Sequence, residues 1–281
     1  MLLADPVLAA AWRAELALEF ERRGERTILA KRRHDGPLVF QKPLYPEGDA
    51  VCHGIIVHPP AGIAGGDELH LQATAHADAQ ALLTTPGATK WYRSAGALAS
   101  SHVQWEVDAG AALEWLPQET IVFSGARARM TTLVGLAGNA RYLGWEILCL
   151  GRTGSGERFD RGEMIAATEI TRDGKPVFID RLRVEGGGPI LGSPAGLHGA
   201  PVTATFVAAC ETLDADHVAQ CREVEGPAHG EGAITRLPGV VVARYLGTRT
   251  DAAREWFTRL WHILRPATLG RPAVEPRIWR T

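Results

Sequence analysis

The sequence predicts an all-β protein, and three observations support this class. Many of its apolar segments are short and bounded by glycine, proline, asparagine or aspartate, which is typical of strands and turns. In several of these segments apolar and polar residues alternate, as in residues 101–107, where Val103, Trp105 and Val107 share one side. The breaks recur at short spacing, which favours a sandwich, a barrel or a solenoid. No fixed sequence repeat selects the solenoid.

Three strands separated by turns are predicted near the N-terminus. Residues 12–20 place an apolar set on one side of a strand at period two, namely Trp12, Ala14, Leu16, Leu18 and Phe20. A helix would scatter these residues around its axis, so the strand is the better interpretation. Glycine-containing turns at 22–24 and 34–37 set off two further strands, at 27–31 and 38–42.

The same alternation of strands and turns continues through most of the chain. The next predicted strands are residues 51–57, 68–75, 80–85, 100–107, 112–116, 121–123, 130–136, 142–150, 164–172 and 175–184. One more strand is predicted at 239–246.

Two helices are predicted in the C-terminal part. Asp214 can cap a helix that reaches about Glu223, because an aspartate at this position accepts from free N–H groups of the first turn. Asp251 can cap a second helix, which we expect to end before Pro266. This helix carries an apolar stripe at helical spacing, formed by Trp256, Phe257, Leu260, Trp261 and Leu264. No linker composition interrupts the chain, so we expect a single domain over residues 1–281.

Composition excludes several classes of function. The 281 residues carry a net charge of −2, which gives no reason to expect nucleic acid or an anionic membrane as a partner. No apolar run approaches the roughly 20 residues of a membrane span. Residues 1–6 lack the basic and apolar regions of a signal peptide. The 4 cysteines are scattered without a CxxC pair, and we therefore expect free thiols in a cytoplasmic protein.

Residues 52–67 form the most distinctive stretch of the sequence. An apolar strand runs into His58 and a Pro59-Pro60 corner, and glycines and Asp67 follow. Proline ends a sheet ladder and glycine allows close backbone approach, so a rigid shaped loop is expected. The loop matches neither the P-loop nor the dinucleotide-binding fingerprint.

Seven blocks of residues, taken in order, resemble one protein family. They are PLYPE at 43–47, residues 52–67, LTTPGATKWYR at 83–93, WLPQETIVF at 115–123, CLGR at 149–152, LPGVVVARYLG at 237–247 and PRIW at 276–279. Together they resemble the urease accessory protein UreD family, called UreH in some organisms. The family usually has glycine at the position of Ala61 and often phenylalanine at the position of Trp91, and these departures change neither charge nor shape greatly.

The resemblance implies a fold and a function without catalysis. It implies a helix-like coil of many short strands, a β-solenoid-like or two-layer β structure, with two helices near the C-terminus. It implies a scaffold that bridges the urease apoprotein to the accessory protein F, which carries the GTPase accessory protein G. Nickel(II) would pass through an internal tunnel toward the carbamylated lysine site of urease, with no permanently bound cofactor.

Acidic residues are the first candidates for a nickel path. A conduit must release its ion, so a few weak oxygen ligands suit it better than a tight site. The candidates are Asp67, Glu68, Glu119 and Asp180. Each has a structural alternative. Asp67 can satisfy the N–H groups of its turn, Glu68 can be solvated, and the other two can pair with cations, Asp180 for example with Arg181.

Two further clusters complete the candidate sites. Cys52, His53 and His58 are the only soft ligands close together, although neighbouring residues of a strand point to opposite faces and a buried cysteine is often only a small apolar residue. The segment formed by Lys90, Trp91, Tyr92 and Arg93 is the candidate for partner binding, because these residue types are enriched at interface hot spots. Its alternative is a core aromatic pair with solvated cations.

Two other functions stay open on sequence grounds. An all-β carbohydrate-active enzyme would need two carboxylates facing an open cleft. A plain interaction module would assemble partners without contacting metal.

Overall fold

The computed structural model describes residues 11–60 and 62–280 of the chain. The strands are β1 Arg13–Arg23, β2 Arg26–Asp35, β3 Val39–Phe40, β4 Cys52–Val57, β5 Glu68–Ala75, β6 Gln80–Thr84, β7 Thr89–Trp91, β8 Ala99–Val107, β9 Ala112–Trp115, β10 Thr120–Val122, β11 Arg127–Leu136, β12 Arg141–Leu150, β13 Glu163–Arg172, β14 Lys175–Glu185, β15 Val202–Ala209, β16 Gly230–Leu237 and β17 Val240–Gly247. The α-helices are α1 Ala215–Glu223 and α2 Thr250–Leu269.

The strands form two sheets between which the chain passes back and forth. The smaller sheet has seven strands in the order β14-β13-β11-β8-β5-β1-β2, and the larger runs β16-β17-β15-β12-β9-β6-β4-β3 with β10 and β7 beside β12. From β4 to β13 the chain alternates between the sheets, and the neighbouring strands of this coil are parallel. The prediction of an all-β, solenoid-like coil with two C-terminal helices is confirmed.

The main core lies between the two sheets and follows from the period-two pattern. In β5, for example, Leu69, Leu71 and Ala73 are buried and face the core. The polar residues between them lie on the outer face, because successive side chains of a strand point to opposite sides.

A second core lies between the larger sheet and the two helices. Its central part is aromatic: Trp145 packs against Phe257 and Trp279 at ring-centroid distances of 6.3 and 5.5 Å. Helix α1 begins at the predicted cap, where the Asp214 carboxylate accepts from the backbone N–H groups of residues 216 and 217. The structure is therefore a three-layer stack of sheet, sheet and helices.

Several local predictions were wrong. The last helix runs through Pro266 to Leu269, and its N-cap is Arg249, with Asp251 in the first turn. Pro266 lies on the exposed side, and burial of the residues around it keeps the helix continuous. Trp12 was placed with the core set, but it precedes β1 and is 53% exposed. Strands β7, β15 and β16 were not predicted.

Further predictions concern membrane spans, the cysteines and the N-terminal residues. In residues 11–60 and 62–280, no helix is both long and apolar enough to cross a membrane. The four cysteines are free, as predicted, and all four are buried. The signal-peptide prediction for residues 1–6 and the remark on Ala61 lie outside the described residues.

Candidate functional site

A cavity of about 230 Å³ lies between the two sheets. Strands β8, β11, β13 and β14 of the smaller sheet and β12, β15 and β17 of the larger sheet supply much of its wall. Hydroxyl and charged side chains interrupt the apolar core here, so polar groups converge in the interior of the coil.

The polar wall on the smaller sheet is a row set by strand register. Thr132 in β11 is the partner of Thr168 in β13, and Thr168 is the partner of Asp180 in β14. All three line the cavity. Because paired positions on adjacent strands share a face, one residue from each strand builds a continuous row of oxygen atoms.

A second polar row faces the first from the larger sheet. Glu146 in β12 pairs with Thr205 in β15, which pairs with Arg244 in β17. The guanidinium of Arg244 binds the Asp180 carboxylate at 3.0 Å, and the Thr205 hydroxyl donates to the same carboxylate at 3.4 Å. These contacts join the two sheets. The Arg244 and Asp180 side chains are 52% and 28% exposed, so the pair lies at the solvent end of the row.

Glu146 lies further inside than this ion pair. Burial of its carboxyl group, together with the negative charge of Asp180, raises the pKa of Glu146 to about 7. Its Oε1 atom is buried and has no hydrogen-bond partner among the described residues. A carboxyl group with these properties can exchange a proton near neutral pH, and when ionised it can hold a cation with help from neighbouring hydroxyls.

The cavity does not contain a preformed tight metal site. In the part of the chain that the structure describes, no group of three or more His, Cys, Asp or Glu side chains is placed to hold a metal ion. The site therefore offers one or two carboxylates and several hydroxyls, which is a weak set of oxygen ligands.

Of the predicted acidic residues, only Asp180 lines the cavity. It pairs with Arg244 rather than with the adjacent Arg181 that the sequence suggested. Asp67 is buried, and its two carboxylate oxygens accept from the backbone N–H groups of Trp12 and Ala64 at 2.9 and 2.8 Å. Its geometry is that of a turn-stabilising aspartate.

The other two predicted acids lie on different surfaces. Glu68 is exposed at the start of β5. Glu119 is largely buried and binds Arg254 of α2 at 3.0 Å, so it is a paired acid beside the cavity wall. Their role in a nickel path stays a prediction.

The predicted soft-ligand cluster is not brought together around one point. Cys52 is fully buried, and burial raises the pKa of its thiol to about 11, which leaves little thiolate for metal. His53 binds Glu47 through Nε2 at 2.6 Å. Burial lowers the pKa of His58, against the opposing charge of Asp67.

The Glu47–His53 pair belongs to a larger buried ionic network. The Arg265 guanidinium of α2 donates to Glu47 at 2.7 and 2.9 Å and to Glu114 of β9 at 2.9 and 3.1 Å. Glu114 also accepts from Trp261 Nε1 at 2.7 Å. The side chains of Arg265 and Glu114 are completely buried. We call this set the helix clamp, because it joins α2 to the larger sheet.

The candidate partner segment divides between interior and surface. Trp91 is buried and lines the cavity, whereas Tyr92 and Arg93 are exposed and Lys90 is half-buried. The segment thus connects the cavity wall with the surface, and its role in partner binding stays a prediction.

Sequence reasoning missed Glu146, the most informative residue of the cavity. A signal was present, since it is the only charged residue between Arg141 and Leu150 of an otherwise apolar strand. A lone acid in a buried strand needs a partner, water or a functional reason.

Comparisons with known proteins show the family of the chain. The family model described as UreD urease accessory protein matches residues 13–280. The urease accessory protein UreD of Azoarcus sp. (strain BH72) is 56% identical over 270 residues, covering 96% of this chain and 94% of the relative. The protein of the same name from Dechloromonas aromatica (strain RCB) is 53% identical, covering 99% and 98%. These names denote accessory proteins and not enzymes, and the chain belongs to the UreD family of urease accessory proteins.

Proposed function

We propose that this protein acts in urease maturation as a scaffold and nickel conduit. It bridges the urease apoprotein and the accessory proteins F and G, the latter a GTPase, and nickel(II) moves through its interior into urease. Family membership supports the role in urease maturation. The observation that carries the conduit is the pair of facing polar rows, with Glu146 inside and Asp180 at the solvent end.

The composition of the two rows suits passage better than storage. A divalent ion crossing an apolar core needs oxygen atoms to replace part of its hydration, and an ion that must leave needs few strong ligands. Glu146 supplies charge, and the threonine hydroxyls supply neutral oxygen ligands around it. Because the pKa of Glu146 is about 7, proton uptake at this carboxyl group offers a way to release the ion.

Arg244 occupies the carboxylate at the solvent end of this route. Its guanidinium neutralises Asp180, so an incoming cation must displace it or arrive with a partner that does. This suits a protein that loads only within a complex. The buried free thiols suit the reducing cytoplasm, where we place the protein.

A test separates conduction from assembly. Glu146→Gln keeps the size of the side chain and removes its charge, and Glu163→Gln is the matched control at an ion pair whose arginine, Arg183, is 76% exposed. Each variant is produced with apo-urease and the F and G proteins in a urease-negative host, and we measure co-purification and nickel per urease active site. We expect assembly to be retained and nickel content to fall severalfold for Glu146→Gln only.

Two outcomes would contradict this proposal. If Glu146→Gln and Asp180→Asn both load urease with nickel at the wild-type level, the protein is a plain interaction module. If the wild-type chain does not co-purify with apo-urease and the F protein, it is not a scaffold. The carbohydrate-active enzyme considered from the sequence is not retained, because the chain belongs to a family of accessory proteins.

A further inference from the structure

Two histidines stack on the outer face of the smaller sheet, away from the cavity. His70 of β5 and His102 of β8 are register partners on adjacent parallel strands. Their rings are 5.0 Å apart at the centroids, with an interplanar angle of 22°. Ser101 and Val103 line the cavity, so the alternation of the strand places His102 on the opposite surface. The proposed conduit makes no use of this pair.

The spacing of the two rings suits chelation of one metal ion. Metal–imidazole bonds are about 2.0–2.1 Å long, so two nitrogen ligands at adjacent positions around an ion lie roughly 3.0–3.4 Å apart. Parallel rings with centroids 5.0 Å apart can bring ring nitrogens to this separation by small side-chain rotations. The sheet holds both backbones in place, so little conformational entropy is lost on binding.

The charged groups around the pair affect how strongly it can hold a cation, but in the described residues none of them is placed as a third ligand. Glu68 precedes His70 by two residues on the same face of β5, and its charge acts on His102. Glu15 on β1 is the register partner of His70, but it is bound by Arg13 at 2.9 Å and Arg33 at 3.7 Å. Arg129 faces the same surface from β11 and opposes a cation, so the affinity should be moderate.

We propose that His70 and His102 form a two-imidazole surface site for one late first-row divalent metal ion. Two imidazoles suit nickel(II), copper(II) and zinc(II), and water fills the remaining positions. The site does not depend on the proposed conduit, because it lies on the other side of the sheet.

Calorimetric titration of the full chain with NiCl₂ tests the site. The variants are His70→Ala and His102→Ala, with His34→Ala as the control at an exposed histidine of β2 and Glu146→Gln to report on the cavity. Loss of a residue that only orients a ligand typically weakens metal binding about 10–100-fold. We therefore expect at least a tenfold loss for each of the two histidine variants, and wild-type binding for the control His34→Ala.

Electron paramagnetic resonance with one equivalent of CuCl₂ gives an independent readout. The wild-type chain should show coupling to two imidazole nitrogens, and each single variant should show one fewer. His70→Gln and His102→Gln serve as second variants that keep a polar side chain on the sheet surface. A merely structural role for the histidines would leave the nitrogen count unchanged.

Results of another kind would overturn the proposal. Nickel binding that is unchanged in both histidine variants excludes the site. Binding lost in Glu146→Gln but kept in the histidine variants excludes it too, and such a result would support the conduit. Copper spectra without imidazole coupling in the wild-type chain exclude it as well.

Discussion

Replacing Arg265 with methionine should lower the free energy of unfolding by about 3–5 kcal/mol. Arg265 is the centre of the helix clamp and its side chain is completely buried. Methionine fills a similar length without a charge, so packing is largely kept. What changes is the electrostatics, because the buried carboxylates of Glu47 and Glu114 lose their shared cation.

The position of each carboxylate determines the size of the effect. Glu114 is completely buried; burial raises its pKa, although Arg265 and Trp261 oppose the shift. Glu47 keeps its contact with His53, so the loss of Arg265 is partly compensated at Glu47. An unpaired buried charge is the costly product of breaking such a pair, and Glu114 supplies it in the Arg265→Met variant.

Replacing Glu114 should lower the free energy of unfolding by less than replacing Arg265 does. Glu114→Gln leaves Arg265 paired with Glu47 and keeps an acceptor for Trp261, so we expect a loss of about 1–2 kcal/mol. The double variant removes both buried charges of the pair and should be more stable than Arg265→Met alone. The double-mutant cycle measures this coupling directly.

Urea unfolding followed by tryptophan fluorescence measures these effects, since Trp261 lies in the clamp. Arg183→Met is the matched control, because Arg183 binds Glu163 at 2.7 Å but is 76% exposed. An exposed pair contributes about 0–1 kcal/mol. Equal midpoints for Arg265→Met and Arg183→Met, or a double variant less stable than both single variants, would refute the reasoning.

Three further predictions test the site, the loop and the core. Because the pKa of Glu146 is raised, ionisation of this carboxyl group destabilises the fold as the pH rises from about 4.5 through 7. The free energy of unfolding of Glu146→Gln should therefore exceed that of the wild type by up to about 3 kcal/mol at pH 8 and by little at pH 4. Equal gains in denaturant melts at both pH values would contradict this. Asp67→Ala leaves two backbone donors unpaired and should cost about 1–3 kcal/mol in thermal unfolding, and Asp67→Asn less. Gly54→Ala puts a Cβ 2.1 Å from the Phe40 ring and should cost about 1–3 kcal/mol, whereas Gly87→Ala, with open space around it, should not; similar melting temperatures would contradict the packing argument.

Period-two alternation carried most of the fold prediction. The prediction for β5 matches the structure at both ends, residues 68–75, because its apolar set is unbroken and breakers flank it. Strand β16 was missed because almost all of it is exposed at a sheet edge, which leaves no apolar pattern to detect. The end of α2 was misplaced because tertiary packing overrides the local cost of Pro266.

The candidate site was less predictable because it depends on register between strands far apart in sequence. Glu146 and Asp180 lie in different sheets, which contact each other here through Thr205 and Arg244, and no local motif encodes that packing. Asp67 was singled out for its conspicuous glycine-rich loop, but one of its oxygens accepts from Ala64 of that loop and the other from Trp12.

The stacking of in-register strands makes the lengths of these strands as important as their side chains. Inserting one residue into β12 ahead of Trp145 would exchange the two surfaces of the strand from that point onward. Trp145 would then enter the cavity, and Glu146 would turn toward the apolar layer beneath α2. Tolerated changes in chain length should therefore be confined to the turns, while the spans between them keep a fixed residue count.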